Sequence, residues 1–100
     1  MDLDALEAAM HRFVESKGWY KADSPRPQTS KNLAISLVLE ASEVLEHFQW
    51  SELPSSTKAE LAAELADVML YLLQLASIND INLGQAVLAK LDENQKRTWE

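Results

Sequence analysis

The chain of 100 residues has no cysteine, and it has only 2 glycines and 3 prolines. Without cysteine there is no disulfide framework, no thiolate nucleophile and no cysteine-based zinc site, which fits the reducing cytoplasm. So few glycines and prolines provide too few turn signals for an all-β domain. These absences favour a helical protein of the cytoplasm whose chemistry would depend on carboxylates and other polar side chains.

Positive charge is also scarce. The chain has 9 lysines and arginines against 16 acids, a net charge of -7, which argues against a nucleic-acid or anionic-membrane partner. A nucleotide bound through a metal ion remains open, because the cation would supply the missing positive charge. The longest apolar segment, residues 68–78, is interrupted by Gln74 and Ser77, so we expect no membrane span.

Hydrophobic periodicity predicts four helices joined by short loops, at about residues 2–17, 30–48, 57–78 and 83–97. The third helix is apolar around much of its circumference, which suggests a subunit interface. We therefore expect an all-α fold, a four-helix antiparallel bundle that forms oligomers. The stripes expected to form the core of the second and third helices are Leu33/Ala34, Leu37/Val38, Ala41, Val44/Leu45 and Phe48, and Leu61, Leu65, Val68, Leu72 and Leu75.

Two pairs of acids lie at helical spacing inside the two most apolar helices. Glu40 and Glu43 are three residues apart, and so are Glu64 and Asp67, so each pair shares one side of its helix. Each pair borders an apolar stripe, where a carboxylate is costly unless a partner neutralises it. The two helices are joined by a short connection and should be antiparallel neighbours, so their acids should meet. All-oxygen ligation of this kind favours Mg²⁺ or Mn²⁺.

Alternatives to this metal site exist. Acidic pairs are common on helix surfaces, and Lys31 or Lys58 could neutralise these two. A di-iron site is not favoured, because such bundles use a Glu-x-x-His motif and neither His11 nor His47 follows a glutamate by three residues. The simpler interpretation of His11 is a partly exposed histidine. A carboxylate-held cation would also bind substrate phosphates and polarise a phosphoryl oxygen.

Aromatic and polar residues elsewhere also have two interpretations. Trp19 and Tyr20 precede a polar, proline-containing loop, and they either fasten this loop to the core or stack on a flat ligand. Lys90, Asn94 and Arg97 share one face of the fourth helix at i, i+4 and i+7. That face is either an ordinary solvated surface or a contact for an anionic ligand.

The order of the acids is similar to a known signature. The first pair is E-x-x-E and the second is E-x-x-D, which resembles the signature of the MazG-like superfamily of all-α nucleoside triphosphate pyrophosphohydrolases. The chain is most similar to the small MazG-like proteins and to the dCTP pyrophosphatase branch. The matching segments are 31–33, 40–50, 64–72 and 88–97, and the resemblance covers roughly residues 10–98.

This resemblance implies one MazG-like domain over residues 1–100 that hydrolyses a (deoxy)nucleoside triphosphate to the monophosphate and pyrophosphate. It implies Mg²⁺ as cofactor, with Mn²⁺ as a substitute, and a homodimer or homotetramer with sites near the subunit interface. The positions that match catalytic metal ligands are Glu40, Glu43, Glu64 and Asp67. The positions that match substrate contacts are Trp19, Lys31, Trp50, Tyr71, Lys90, Asn94 and Arg97.

The expected role is the removal of unwanted deoxynucleotides, with dCTP or another dNTP as substrate. A histidine of the first helix in the dCTP branch falls at Met10, one residue before His11, so the base preference stays open. Two alternatives are a non-enzymatic helical interaction module and a related bundle enzyme that acts on a non-canonical nucleotide.

Overall fold

The structure is a computed structural model that describes residues 1–98, and within that range it contains four α-helices and no strand. Helix α1 spans Leu3–Ser16, α2 Ser30–Glu46, α3 Lys58–Ile78 and α4 Leu83–Lys96. The all-α class is confirmed, and the ends of the predicted helices differ from these by one or two residues at most.

Each helix begins at a residue whose side chain accepts a hydrogen bond from the backbone N–H three positions later. These caps are Asp2, Thr29, Thr57 and Asn82. The cap of α3 is reinforced because the Thr57 hydroxyl also donates to the Glu60 carboxylate at 3.1 Å. Beyond the end of α1, Gly18 adopts a φ of 73°, which a residue with a side chain rarely does. Local chemistry therefore fixes where the helices start and stop.

Helix α3 is the element against which the other three pack. Helix α2 lies along it most extensively, α1 less so and α4 least. The central core cluster contains Met10 and Val14 of α1 and Leu73 of α3, all buried. The residues packed against it are Leu3, Leu6, Trp19, Met69 and Leu83. Leu33 of α2 is buried as well.

The core is narrower than the apolar stripes predicted. Val38 and Leu45 of α2 are 67% and 68% exposed in the single chain, and Leu65 of α3 is 52% exposed. The buried residues of α3 are Leu73, Gln74 and Ala76 instead. The prediction fails because α3 is apolar nearly all round, so its periodicity does not identify the face that meets α1.

By length and composition alone, α3 would also be long enough and apolar enough to cross a membrane, which the sequence analysis did not expect. A core helix meets the same criterion. One edge of α3 carries Glu60, Glu64 and Asp67, and acids at membrane depth are costly. We therefore interpret its apolar surface as a surface for packing against protein.

Truncating Leu73 tests this assignment of the core. Leu73→Ala should lower the free energy of unfolding by about 2–5 kcal/mol, because it removes apolar contact and leaves a cavity between α1 and α3. Urea unfolding followed by circular dichroism would measure the loss. The matched control is Leu53→Ala in the loop before α3, where the side chain is exposed and the change should stay within about 0.5 kcal/mol. Equal effects of the two substitutions would contradict the proposed core.

Candidate active site

Three glutamates from two helices meet between α2 and α3. Glu40 and Glu43 lie on α2 and Glu64 on α3, and one carboxylate oxygen from each lies within 4.8 Å of the other two. All three side chains are partly buried. Because α2 lies along α3, the i, i+3 spacing on one helix is brought opposite an acid of the other. The meeting of acids that the sequence predicted is thus observed for these three residues.

The fourth acid, Asp67, lies one turn beyond Glu64 on α3 and outside this tight group. Its charge nevertheless acts on both Glu40 and Glu64. Its side chain also lines the large cavity that begins beside the cluster. Asp67 therefore connects the acid cluster to a space that a ligand can enter.

Burial and mutual repulsion shape the electrostatics of the cluster. Burial raises the pKa of Glu40, and the charge and hydrogen bond of Glu43 raise it further, as do the charges of Asp67 and Glu64. The pKa of Glu64 is also raised, first by a hydrogen bond with Glu43 and then by burial, while His47 opposes this shift. His47 Nε2 lies 3.9 Å from Glu64 Oε1. The cluster thus resists carrying its full negative charge.

The carboxylate oxygens fit a divalent cation. Glu40 Oε2 and Glu64 Oε2 are buried and have no hydrogen-bond partner among residues 1–98. A buried polar atom left without a partner costs about 1–3 kcal/mol, and more when it is charged. The three ligand atoms that cluster are all carboxylate oxygens. Such a set suits Mg²⁺ or Mn²⁺ better than a softer metal.

A cavity of about 700 Å³ lies between α1, the proline-containing loop, α2 and α3. Small-molecule sites in proteins are commonly about 300–1,000 Å³. Its wall is mostly apolar and aromatic, with a few polar groups, which is the usual composition of a ligand pocket. Its lining residues include Trp19, Gln28, Asp67, Tyr71 and Gln74. The cavity therefore reaches Asp67, whose charge acts on Glu40 and Glu64.

Trp19 and Tyr71, two of the predicted substrate contacts, line this cavity. Trp19 packs its edge against Phe13 with ring centroids 5.7 Å apart, and the Arg26 guanidinium lies 5.5 Å from the Trp19 ring centroid. Trp19 also packs against the core cluster. The two interpretations of Trp19 are therefore compatible, because one side chain both fastens the loop and borders the cavity.

The other predicted substrate contacts do not line the cavity in the single chain. These are Lys31, Trp50, Lys90, Asn94 and Arg97. Trp50 is 90% exposed in the loop after α2. Helix α4 packs only lightly on α3, and Lys90 pairs with Glu93 at 3.3 Å on the surface. The roles of these five residues stay predictions.

The sequence pattern did not predict a partly buried polar network, two of whose residues, Gln28 and Gln74, line the cavity. Gln74, only 3% exposed, donates from Nε2 to Gln28 Oε1 at 2.7 Å and to the Tyr20 hydroxyl at 3.3 Å. His11 Nδ1 lies 2.6 Å from the Tyr20 hydroxyl, and His11 Nε2 lies 2.7 Å from Ser77 Oγ. The simpler interpretation of His11 agrees with these two protein partners. The available signal was a single glutamine within an apolar stretch, seven residues after Asp67.

Comparison with known proteins was consistent with this geometry. The MazG-like family matches residues 35–99, a segment that contains all four acids. The dCTP pyrophosphatase 1 of Mus musculus is 36% identical over 103 residues, which cover 95% of this chain and 58% of that protein. The Bos taurus protein of the same name is 37% identical with the same coverage.

A crystal structure of a pyrophosphatase from Archaeoglobus fulgidus is also similar. It shares 33% sequence identity with this chain at a TM-score of 0.79, and the match covers 97% of this chain and 92% of that one. The chain thus spans 58% of the length of its mammalian relatives and nearly all of the archaeal structure. Since the family match covers more than half of the chain and both acid pairs, this protein belongs to the MazG-like family.

Proposed function

We propose that this protein is a Mg²⁺-dependent nucleoside triphosphate pyrophosphohydrolase, which converts a (deoxy)nucleoside triphosphate and water to the monophosphate and pyrophosphate. The observation that carries the proposal is a carboxylate cluster beside an aromatic-lined cavity, with buried oxygens that have no hydrogen-bond partner among the described residues. The names of the relatives, dCTP pyrophosphatase 1 and a pyrophosphatase, support the same reaction.

The cavity provides a place for the base and sugar. Trp19 and Tyr71 line its wall, and stacking of a base on an aromatic side chain contributes about 1–3 kcal/mol whichever base it is. Asp67 lines the same cavity and interacts with the acid cluster. A nucleotide with its base beside Tyr71 would therefore place its phosphates near Asp67 and the glutamates.

Hydrolysis would divide the work between these groups. Glu40, Glu43 and Glu64 would hold a divalent cation, which when bound offsets the triphosphate charge and polarises its phosphoryl oxygens. A carboxylate of the cluster would orient a water molecule and accept its proton while the water oxygen bonds to the α-phosphorus. The bond between the α-phosphorus and the bridging oxygen then breaks, and pyrophosphate leaves. The aromatic wall holds the nucleoside in line for this attack.

We also propose that the chain assembles as a homodimer or homotetramer. Large apolar side chains are exposed on three helices, including Val38 and Leu45 of α2, Leu65 of α3 and Leu88 of α4. A chain of 100 residues with a narrow core gains stability when such faces are covered. A second copy could also bring its α4, with Lys90, Asn94 and Arg97, to the edge of the cavity.

The same exposed faces fit the alternative of a helical module that binds another protein. That alternative requires neither a cation nor a nucleotide. The partnerless oxygens of Glu40 and Glu64 favour the enzyme, because a protein-binding surface gains nothing from buried carboxylates of this kind.

Removing one charge from the cluster should abolish turnover. Glu43→Gln keeps the size of the side chain but removes a ligand from between Glu40 and Glu64, so pyrophosphate release should fall by about 100-fold or more. The assay measures pyrophosphate and monophosphate from a panel of dNTPs and NTPs, with Mg²⁺ or with EDTA. Glu46→Gln, an exposed acid on the same helix, is the matched control and should retain activity. Activity of Glu43→Gln at the wild-type level, or wild-type turnover in EDTA, would refute the proposal.

Metal binding should reverse the stability order of two proteins. Without divalent metal, Glu43→Gln should melt at a higher temperature than the wild type, because it relieves repulsion with Glu40 and Glu64. At Mg²⁺ ten times its dissociation constant, the wild type should gain about 1.4 kcal/mol, or about 6–11 °C in melting temperature. Glu43→Gln should gain much less. Thermal melts with EDTA and with Mg²⁺ measure both shifts in melting temperature. If Mg²⁺ raised the melting temperature of both proteins equally, the metal would not bind at the cluster.

Charging the exposed apolar face should dissociate the assembly. Val38 and Leu45 are seven residues apart on α2 and share a face, so Val38→Glu/Leu45→Glu would bury two charges in a subunit interface there. Light scattering coupled to size exclusion should give a multiple of 11.2 kDa for the wild type and a smaller multiple for this variant. Ala8→Glu, on an exposed position of α1, is the control and should keep the wild-type mass. A monomeric wild type at micromolar concentration would contradict the assembly.

A further inference from the structure

We propose that Gln74 selects the base by offering its side-chain carbonyl oxygen to the cavity. The favoured bases carry an amino group at pyrimidine C4 or purine C6, as cytosine and adenine do. Bases with an oxo group at that position, namely uracil, thymine and guanine, are disfavoured. This inference rests on the proposed hydrolysis of nucleoside triphosphates and adds the residue that distinguishes their bases.

The position of Gln74 along α3 suits contact with the far edge of a base. Gln74 lies seven residues after Asp67, which is close to two full helical turns, and three residues after Tyr71. The three residues therefore share one side of the helix. At 1.5 Å per residue, Gln74 is about 10 Å beyond Asp67 along the helix axis. All three side chains line the same cavity. A nucleotide with phosphates at Asp67 and its base beside Tyr71 would point the outer base edge at Gln74.

Hydrogen bonds fix which atom of Gln74 is available. The Arg26 carbonyl can only accept, so Gln28 Nε2 donates to it at 2.7 Å. Gln28 therefore presents Oε1 to Gln74 and accepts from Gln74 Nε2 at 2.7 Å. The second N–H of Gln74 goes to the Tyr20 hydroxyl at 3.3 Å. Both amide hydrogens of Gln74 are thus used within the protein, and the group it offers a ligand is its carbonyl oxygen.

A second branch of the network holds this orientation. The Tyr20 hydroxyl, which accepts from Gln74, also lies 2.6 Å from His11 Nδ1, and His11 Nε2 lies 2.7 Å from Ser77 Oγ. Burial raises the pKa of Tyr20, although its hydrogen bond with Gln74 acts in the opposite direction, so the hydroxyl keeps its proton. Rotating the Gln74 amide by half a turn would place its oxygen against Gln28 Oε1. The amide is therefore fixed before any substrate arrives.

A fixed acceptor discriminates more strongly than a mobile one. An exocyclic amino group would donate to Gln74 Oε1, whereas an oxo group would bring two acceptors together and leave a buried oxygen unsatisfied. Gln74 is 3% exposed, so water cannot easily replace the missing bond. The loss for such a mismatch corresponds to about 5- to 100-fold in kcat/KM. Stacking on the aromatic wall does not supply this preference, because every base has a flat face.

The test compares substrates that differ at one position. In Mg²⁺, kcat/KM is measured for dCTP against dUTP and for dATP against dITP, which carries the 6-oxo group without the 2-amino group of guanine. It is also measured for the 2-pyrimidinone and purine deoxynucleoside triphosphates, which lack the amino group. The wild type should favour the amino base of the pyrimidine pair, the purine pair or both by about 5-fold or more in kcat/KM. The pair that shows this preference tells whether the enzyme selects cytosine or adenine. These comparisons need no variant, so equal rates for the amino and oxo bases overturn the inference even if a substitution at Gln74 prevents folding.

Variants then assign the preference to the residue. Gln74→Met has a similar length and helix propensity but no acceptor, and it should bring the amino-to-oxo ratio of kcat/KM close to one. Tyr20→Phe removes one partner that holds the amide, and it should lower the same ratio partly. Gln85→Met, at an exposed position of α4, is the matched control and should keep the wild-type ratio. Loss of helical packing alone would lower all rates without changing this ratio.

Each outcome decides the inference. A ratio lost in Gln74→Met and kept in Gln85→Met supports it. A wild type that turns over dNTPs but treats amino and oxo bases alike overturns it, as does a Gln74→Met variant with the wild-type ratio, and in both cases the pyrophosphohydrolase proposal stands. A folded wild type that releases no pyrophosphate from any triphosphate instead overturns the proposed function, and this inference falls with it.

Discussion

Repulsion between carboxylates across the α2–α3 contact is the constraint on which the rest of the structure depends. Glu40, Glu43 and Glu64 are held together although each would be better solvated apart, and two of their oxygens are buried with no hydrogen-bond partner in the part of the chain that the structure describes. The extensive packing of α2 along α3 opposes this repulsion. This arrangement is unfavourable in the empty protein. It would become favourable with a bound cation, because attraction between the metal and the carboxylate oxygens would outweigh the repulsion between the carboxylates.

The side chains along one side of helix α3 follow the same order as the parts of a nucleotide, from phosphate to base. One side of it carries Glu64 and Asp67 at one end, Tyr71 one turn further, and Gln74 beyond that. Helical periodicity alone therefore aligns groups suited to phosphate, to the flat nucleoside and to the base edge. The remaining circumference of α3 is apolar and packs on α1 and α2, with some of it exposed on the single chain. Such a helix must serve both a site and a packing surface.

Features set by short-range spacing could be predicted from the sequence, and features set by distant contacts could not. The acid pairs depend on residues three apart, so the pattern was sufficient to place Glu40 and Glu43 on one side of α2. The buried face of α3 depends on where α1 lies, and a helix that is apolar around much of its circumference gives no sign of that. The role of Gln74 depends on Gln28 and Tyr20, about 50 residues away, and no local pattern marks that contact.

In the proposed function, catalysis and base preference would arise from separate parts of this chain. The cation and the acids would act on the phosphates, which every nucleoside triphosphate shares, so their effect on the rate would be nearly independent of the base. The preference for a base must then come from a directional group whose orientation is fixed before binding. Gln74 gains that fixed orientation from Tyr20 and Gln28, which lie in the segment between α1 and α2, outside the acid-bearing helices. Changes in that segment can therefore alter which base is accepted while α2 and α3 keep the acid cluster intact.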